Sequence, residues 1–523
     1  MRRDRNFQSM CGAALFLALG SLAANAQDLT YAISAPITST DPHFQNATPN
    51  NAALGSIFEP LVILTGDGQL VPGLAESWTN VDDLTWEFKL RDVTFHDGSP
   101  LTAEDVIYSL ERPGNIESPA PYTPYTKAIT EMEAVDDKTV RLKTATPYPL
   151  LTLDLSRVYI VSKAVAEAND TQAMNLGNGV IGTGPYEFVS FTADEQLSLA
   201  RSDDYWGEAP AWENVQVRVI ADDAARTTAL LSGGVDAIEN VPTPDVERMR
   251  DEDGINFESG KSQRFVFLFL DSGRDEPPGV LGNDGAPLSE NPFKDARVRQ
   301  AVNLAIDRQA IAERVMMGLA YPSNNIVFDD GEGFIPSLEN PPYDPEKAKA
   351  LLAEAGYADG FGITIAAPNN RMINDEKVVQ AIAQMLTRVG IRTEVDAMPF
   401  SVIASRGQTG DFGVSMMSWG STTEASTPIR QMIACKDADK GWGAVNWGNY
   451  CNEEADALLT KALATVDTAA RTKILEEAVG MLMDDVAIVP LYFQGSTWAA
   501  REGIEITPRS DERTSPDMFS PAT

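Results

Sequence analysis

The sequence predicts an α/β protein built as two or three structural units, and three observations carry that prediction. At 523 residues the chain exceeds what one hydrophobic core usually serves. Its second half contains "FGITIAA", "NDEKVVQAIAQMLTRV" and "IRTEVDAM" in succession, a strand, an amphipathic helix and a second strand with short links, which is the pattern of a parallel βαβ unit. Its first half favours antiparallel strand. An apolar content of 43% with 8% aromatics supplies material for several cores and sets the chain apart from disordered sequences.

The elements follow in order. "LTWEFKLR" alternates Leu84, Trp86, Phe88 and Leu90 on one face, which suits a half-buried strand. A short strand is expected at Val93 to Phe95, turning at Asp97 and Gly98, and "EAVDDKTVRLKTA" reads as a hairpin that turns at Asp136 and Asp137. In "YDPEKAKALLAEAGY", Asp344 caps a helix, Pro345 occupies its first turn and Gly356 stops it. The helix of the βαβ unit turns Val378, Ile382, Met385 and Val389 inward and ends at Gly390. "RTKILEEAVGMLMDD" buries Leu475, Val479 and Leu482.

Arg2, Arg3 and Arg5, the apolar "CGAALFLALGSLA" and a small-residue "ANA" together read as an export signal cleaved after Ala26, which would take Cys11 with it. The expected location is therefore periplasmic, with no lipid anchor, because no later run reaches the roughly 18 apolar residues of a membrane helix. The formal charge is -35, and removing the basic leader makes it more negative. Such a surface repels phosphate backbones and anionic headgroups, so nucleic acid is not an expected partner, and contact with a membrane is peripheral at most. Cys435 and Cys451 remain, an even count in an oxidising compartment. They read as a disulfide closing a loop of about 15 residues, worth roughly 3 kcal/mol in the chain-entropy model, with two free thiols as the alternative.

"FHDGSPLTAEDV" brings His96, Asp97, Ser99, Glu104 and Asp105 together and raises the question of catalysis. Ordinary structure accounts for all of them. Thr102 and Asp105 form a helix N-cap with an acid in the first turn, and Asp97 with Gly98 forms a turn. "GNGVIG", residues 177 to 182, matches a dinucleotide loop by spacing but is followed at once by Thr183, Gly184, Pro185 and a strand-like run. With two histidines and two paired cysteines, no metal site and no cofactor are expected. A secreted hydrolase built on Ser99 is the reading from another class.

A longer pattern encloses these residues. "LVPGLAESWTNVDDLTWEFKLRDVTFHDGSPLTAEDVIYSLER" closely resembles the signature segment of the family 5 bacterial extracellular solute-binding proteins, the peptide- and nickel-binding receptors of ABC importers. The resemblance continues through "GTGPYEF", "ALLSGGVDAI", "NPFKDARVRQAVNLAIDR", "YDPEKAKALLAEAGY" and "VPLYFQ". It implies a type II periplasmic-binding-protein fold of the large peptide-binder class, two lobes with a subdomain inserted in lobe I, and no enzyme activity. The chain then divides into lobe I at 27–56, the insert at 57–182, lobe I again at 183–266, lobe II at 267–492 and a return to lobe I at 493–523. The implied partners are a small peptide-like solute and the permease subunits, with the ATPase touched only indirectly. A monomer is expected because lobe movement needs free surfaces.

The resemblance also implies a site. Arg371, in "PNNRMINDEKVV", falls where peptide-binding relatives commonly carry an arginine for the ligand carboxylate, with a surface arginine beside a helix start as the plain alternative. Trp419, in "MMSWGSTTEAS", matches a pocket tryptophan. Three residues later, where an aspartate usually holds the ligand ammonium, stands Thr422. Glu424 is the candidate to take that ammonium, and Ser421, Thr422 and Thr423 would supply hydroxyls. Trp442 and Trp447 are candidates for apolar wall or for packing. The small-residue stretch followed by Glu-Ala is closer to the glutathione-receptor branch. Within binding proteins, an opine, an oligosaccharide or a chelated metal are the alternative solutes.

Overall fold

The computed structural model of the chain describes residues 28–420 and 423–522. The expected export signal, and Ser421 and Thr422 of the expected site, lie outside the described residues. Two long antiparallel strands, Ile255–Leu270 and Val489–Arg501, run through the middle of a twelve-stranded sheet and belong to both of its halves. In lobe I, Val489–Arg501 pairs with Ala237–Glu239, which leads through the parallel strands Asp28–Ile33 and Asn214–Val219 to Gln196–Arg201 and Tyr186–Thr192. In lobe II, Phe265 to Leu270 pair with Val414–Trp419, beside which Phe361–Pro368 and Ile391–Met398 lie parallel. The apolar run "FVFLFL" suits this place, because a strand covered on both faces reads as continuous rather than alternating. All six of its residues are buried.

The pairing of the two long strands slips between Lys261 and Phe265. Ser262 and Arg264 occupy the slip, and both donate to the carboxylate of Glu512. The joint between the lobes thus falls where the ladder of the crossing strands is irregular, a second shift following between Val266 and Phe267.

Lobe II contains the βαβ unit expected from the sequence. Its helix, Asp375–Arg388, buries Val378 and Ile382 with Val379 and Leu386, leaves Met385 half-buried, and gives way to Gly390 at φ +104°. In the helix Pro345–Glu354 the Asp344 side chain accepts the Lys347 N–H at 2.9 Å, and Gly356 follows at φ +92°. Thr468–Asp484 buries Leu475, Val479 and Leu482.

The inserted subdomain closes its own core around a four-stranded antiparallel sheet in the order Ala75–Asp82, Thr85–Leu90, Thr139–Thr144, Ile129–Asp136. Trp86, Phe88 and Leu90 point into that core, as their alternation predicts. The expected strand at Val93 to Phe95 is reduced to one bridge, Thr94 to Pro100, because the Asp97–Gly98 turn folds the chain back at once. Where the insert meets lobe I, Arg112 donates to both oxygens of Asp41 at 2.7 and 2.6 Å, and both side chains are buried. His43 completes the group, with Nε2 2.8 Å from Tyr159 O and Nδ1 3.2 Å from Arg112 Nη1. Burial, reinforced by the Arg112 charge, lowers the His43 pKa to about 4.

Glu59, also buried beside this junction, accepts from Thr183 Oγ1 and Tyr205 OH at 2.9 Å and from Trp206 Nε1 at 2.7 Å. Burial outweighs these donors and pushes its pKa from 4.5 up to about 7. Between those values the folded chain holds a proton that the unfolded chain has released, so Glu59 subtracts stability as pH rises through the window. His43 has the opposite sense, subtracting stability as pH falls from 6.5 towards about 4. Glu59→Gln is therefore expected to gain stability relative to the wild type as pH climbs from 4.5 to 7. Urea denaturation across that range checks this, and parallel pH profiles for the two proteins would refute it.

Candidate functional site

The geometry around His96 contains no nucleophile and base pair. Its Nε2 lies 2.9 Å from Gly184 O, and its Nδ1 accepts the Gly182 N–H at 3.3 Å, so both ring nitrogens are committed to backbone. The Ser99 hydroxyl donates to Asp97 Oδ1 at 2.6 Å. Thr102 and Asp105 form the capping box of the helix Ala103–Glu111. "GNGVIG" follows a short helix and precedes a strand, the reverse of the order a phosphate-cradling loop needs. Among the described residues no group of three His, Cys, Asp or Glu side chains is placed to hold a metal ion, and no helix is long and apolar enough to cross a membrane.

The larger concavity lies between the lobes at their joint, with a volume of about 600 Å³. Arg371 lines it from lobe II. The loop that carries Arg371 follows the strand Phe361–Pro368 and is fixed from three sides. Asp375 accepts the N–H groups of Arg371 and Met372 at 3.0 and 3.2 Å, Gln494 of the second crossing strand accepts that of Ile373 at 2.9 Å, and Asn370 accepts that of Phe400 at 2.8 Å. The guanidinium lies over the Phe400 ring at 4.5 Å and has neither hydrogen bond nor ion pair among the described residues. Desolvation first, and the charge of Arg264 second, hold its pKa below the ordinary arginine value.

Arg264 shares this cavity but is already satisfied in part. Its Nε and Nη2 grip Glu512 at 3.0 and 2.5 Å, while its Nη1 is buried without a partner. Across from Arg371, Glu239 lines the lobe I wall. Its Oε1 accepts the N–H and hydroxyl of Ser34 at 2.9 and 2.8 Å, and its Oε2 has no partner among the described residues.

The other expected site residues among those described fall elsewhere. Trp419, half-buried at the end of the strand Val414–Trp419, lines a second cavity of about 400 Å³ between lobe II and the insert, with its indole Nε1 buried and unpartnered. Glu424 borders the same cavity but is buried, and its carboxylate takes the Ser426 N–H at 2.7 Å, the Ser426 hydroxyl at 2.5 Å and the Thr427 N–H at 2.8 Å. It starts the next helical turn rather than standing free in solvent. Thr423 meets the insert at Gly68, where an added Cβ would come within 2.9 Å of the threonine methyl. Arg371 and Trp419 thus line separate cavities. Trp442 and Trp447 pack in the lobe II core, Trp447 against Phe269 and Phe412, so their role is packing. Cys435 and Cys451 form a disulfide that closes the loop holding both.

Arg264, Glu239, Gln494 and Glu512 are the functional candidates that sequence reading passes over. Two carried a signal: Arg264 heads, and Gln494 ends, a run that is otherwise apolar and buried. Glu512 carried none, since its partner lies 248 residues earlier in the chain.

Comparison with known proteins agrees with this architecture. The family model described as bacterial extracellular solute-binding proteins, family 5 Middle, matches residues 69–440. The glutathione-binding protein GsiB of Escherichia coli strain K12 is 27% identical over 489 residues, covering 90% of this chain and 90% of that one. Among solved structures, HbpA2 from Haemophilus parasuis superposes with a TM-score of 0.80 at 23% identity, covering 95% of this chain and 100% of that one. The binding protein AgaA from A. tumefacien R10, in complex with agropinic acid, gives 0.71 at 26% identity, covering 95% and 99%.

Proposed function

We propose, on the premise that this chain belongs to the bacterial extracellular solute-binding proteins of family 5, that it captures a peptide-like solute between its lobes and hands it to the permease of an ABC importer, with no chemistry of its own. The observation that carries this is Arg371, a fixed and unpaired guanidinium facing the interlobe cavity. A guanidinium pairs with a carboxylate bidentately, and a zwitterionic solute needs an acceptor for its ammonium as well. Thr422 carries no negative charge to pair with that ammonium and the Glu424 oxygens already accept three donors, so Glu239 Oε2 across the cavity takes the part.

Contacts to both lobes favour the closed form by their differential affinity, and excluding water strengthens each of them. Trp419, Ser421, Thr422, Thr423 and Glu424 remain candidate contacts, Ser421 and Thr422 lying outside the described residues. The name of the E. coli relative supports a peptide-like solute. The likeness to a protein holding agropinic acid favours an opine as the second reading.

The proposed division places lobe I at 27–56, 183–266 and 493–523, the insert at 57–182 and lobe II at 267–492. The mature chain is a periplasmic monomer beginning at Gln27, which meets the permease and reaches the ATPase only through it. Isothermal titration with dipeptides, tripeptides and glutathione is expected to show saturable heat for at least one, at about -8 kcal/mol for micromolar binding. Silence with all of them and heat with an opine transfers the assignment to the second reading.

A further inference from the structure

The structure assigns an anion subsite to the cavity beside Trp419, so that the captured solute carries a carboxylate beyond the one paired with Arg371; this rests on the receptor reading above. Two guanidiniums enter that cavity from opposite walls, Arg157 from the insert and Arg430 from lobe II. Neither makes an ion pair among the described residues. Arg157 lies 5.5 Å from the Tyr125 ring centre, and Arg430 Nε is buried with no acceptor. Trp419 Nε1, in the same cavity, is a second buried donor without a partner. Lys127 and Lys440 add positive charge at the rim, where Lys440 is also paired to Asp437.

The acids present do not cancel these groups. Glu424 is occupied by the turn it caps, and Asp154 accepts the Tyr148 hydroxyl at 2.6 Å. Burial pushes Asp154 up to about 6 while the charges of Arg157 and Arg430 pull it down, so near neutrality its single negative charge faces two positive ones and the cavity keeps an excess of positive charge. A chain with a formal charge of -35 has acids to spare for pairing its arginines, yet leaves these two unpaired around an opening. Each buried donor without an acceptor costs on the order of 1–3 kcal/mol, a cost that an arriving anion removes. Because the donors come from both walls, an anion between them also draws the insert towards lobe II and favours closure.

The test uses the whole mature protein and a defined mixture holding Ala-Glu-Ala with Ala-Gln-Ala and glutathione with its glycyl monoethyl ester. Bound members are recovered by gel filtration and weighed by mass spectrometry. The wild type is expected to enrich an acidic member over its neutral counterpart by about tenfold, the scale of one charge-assisted hydrogen bond. Arg157→Gln and Arg430→Gln are each expected to lose most of that preference while still retaining the neutral member, which also reports that they fold. Equal retention of acid and neutral counterparts, or a preference that survives both substitutions, overturns the subsite and leaves the receptor reading standing. If the wild type retains nothing, the peptide-like reading falls and the subsite falls with it.

Discussion

Arg371→Met is expected to weaken solute binding by about 2–5 kcal/mol, thirtyfold or more, because it leaves the solute's carboxylate desolvated and unpaired in the closed cleft. Stability should move by no more than about 0.5 kcal/mol. The guanidinium holds no hydrogen bond among the described residues, so its removal orphans no partner there. Methionine keeps the apolar stem over Phe400, and the loop itself is held through backbone groups by Asp375, Gln494 and Asn370. Lysine at this position restores the charge without the planar fork and should recover only part of the affinity. Titration calorimetry paired with thermal melts separates the two quantities. Unchanged affinity in Arg371→Met, for any solute that the wild type binds, would remove Arg371 from the site.

The second large effect concerns stability. Arg112→Met is expected to cost about 3–5 kcal/mol, the usual penalty for stranding one partner of a buried ion pair. The Asp41 side chain is fully buried, and without Arg112 it keeps only neutral donors such as the His43 N–H at 2.9 Å. Removing Arg112 also removes a charge that lowers the His43 pKa, so His43 should protonate more readily beside Asp41. The loss should therefore shrink as pH falls from 6.5 towards about 4. Pairing Arg112→Met with Asp41→Asn, which leaves no buried charge, should recover much of the difference. Urea denaturation followed by backbone circular dichroism compares both variants with the wild type, and equal midpoints for Arg112→Met and the wild type would contradict the argument.

How far the sequence is legible depends on the range of the interactions concerned. Helix caps at Asp344 and Thr102, stops at Gly356 and Gly390, and the alternation through Trp86, Phe88 and Leu90 are set by neighbours within a few residues, and the sequence displays them directly. The strand expected at Val93 failed because the turn after it tightened the ladder to one bridge, which alternation cannot foresee. Glu424 shows the limit within the site. An acid following small residues looks available to a ligand until its carboxylate is seen closing on Ser426 and Thr427. Arg371 was singled out through resemblance, but its lack of an ion pair among the described residues, and the pairing of Arg264 with Glu512, are facts of tertiary structure alone.

The separate cores bear on how this molecule loses its order. Trp86 reports on the insert, Trp212 and Trp498 on lobe I, and Trp442 and Trp447 on lobe II, each from a different apolar cluster. Emission from eight indoles is then a sum over regions that need not melt together, and a single midpoint does not define one free energy for the chain. Cargo that bridges two regions ties their transitions to each other, so its arrival should register as sharper cooperativity as well as a higher temperature.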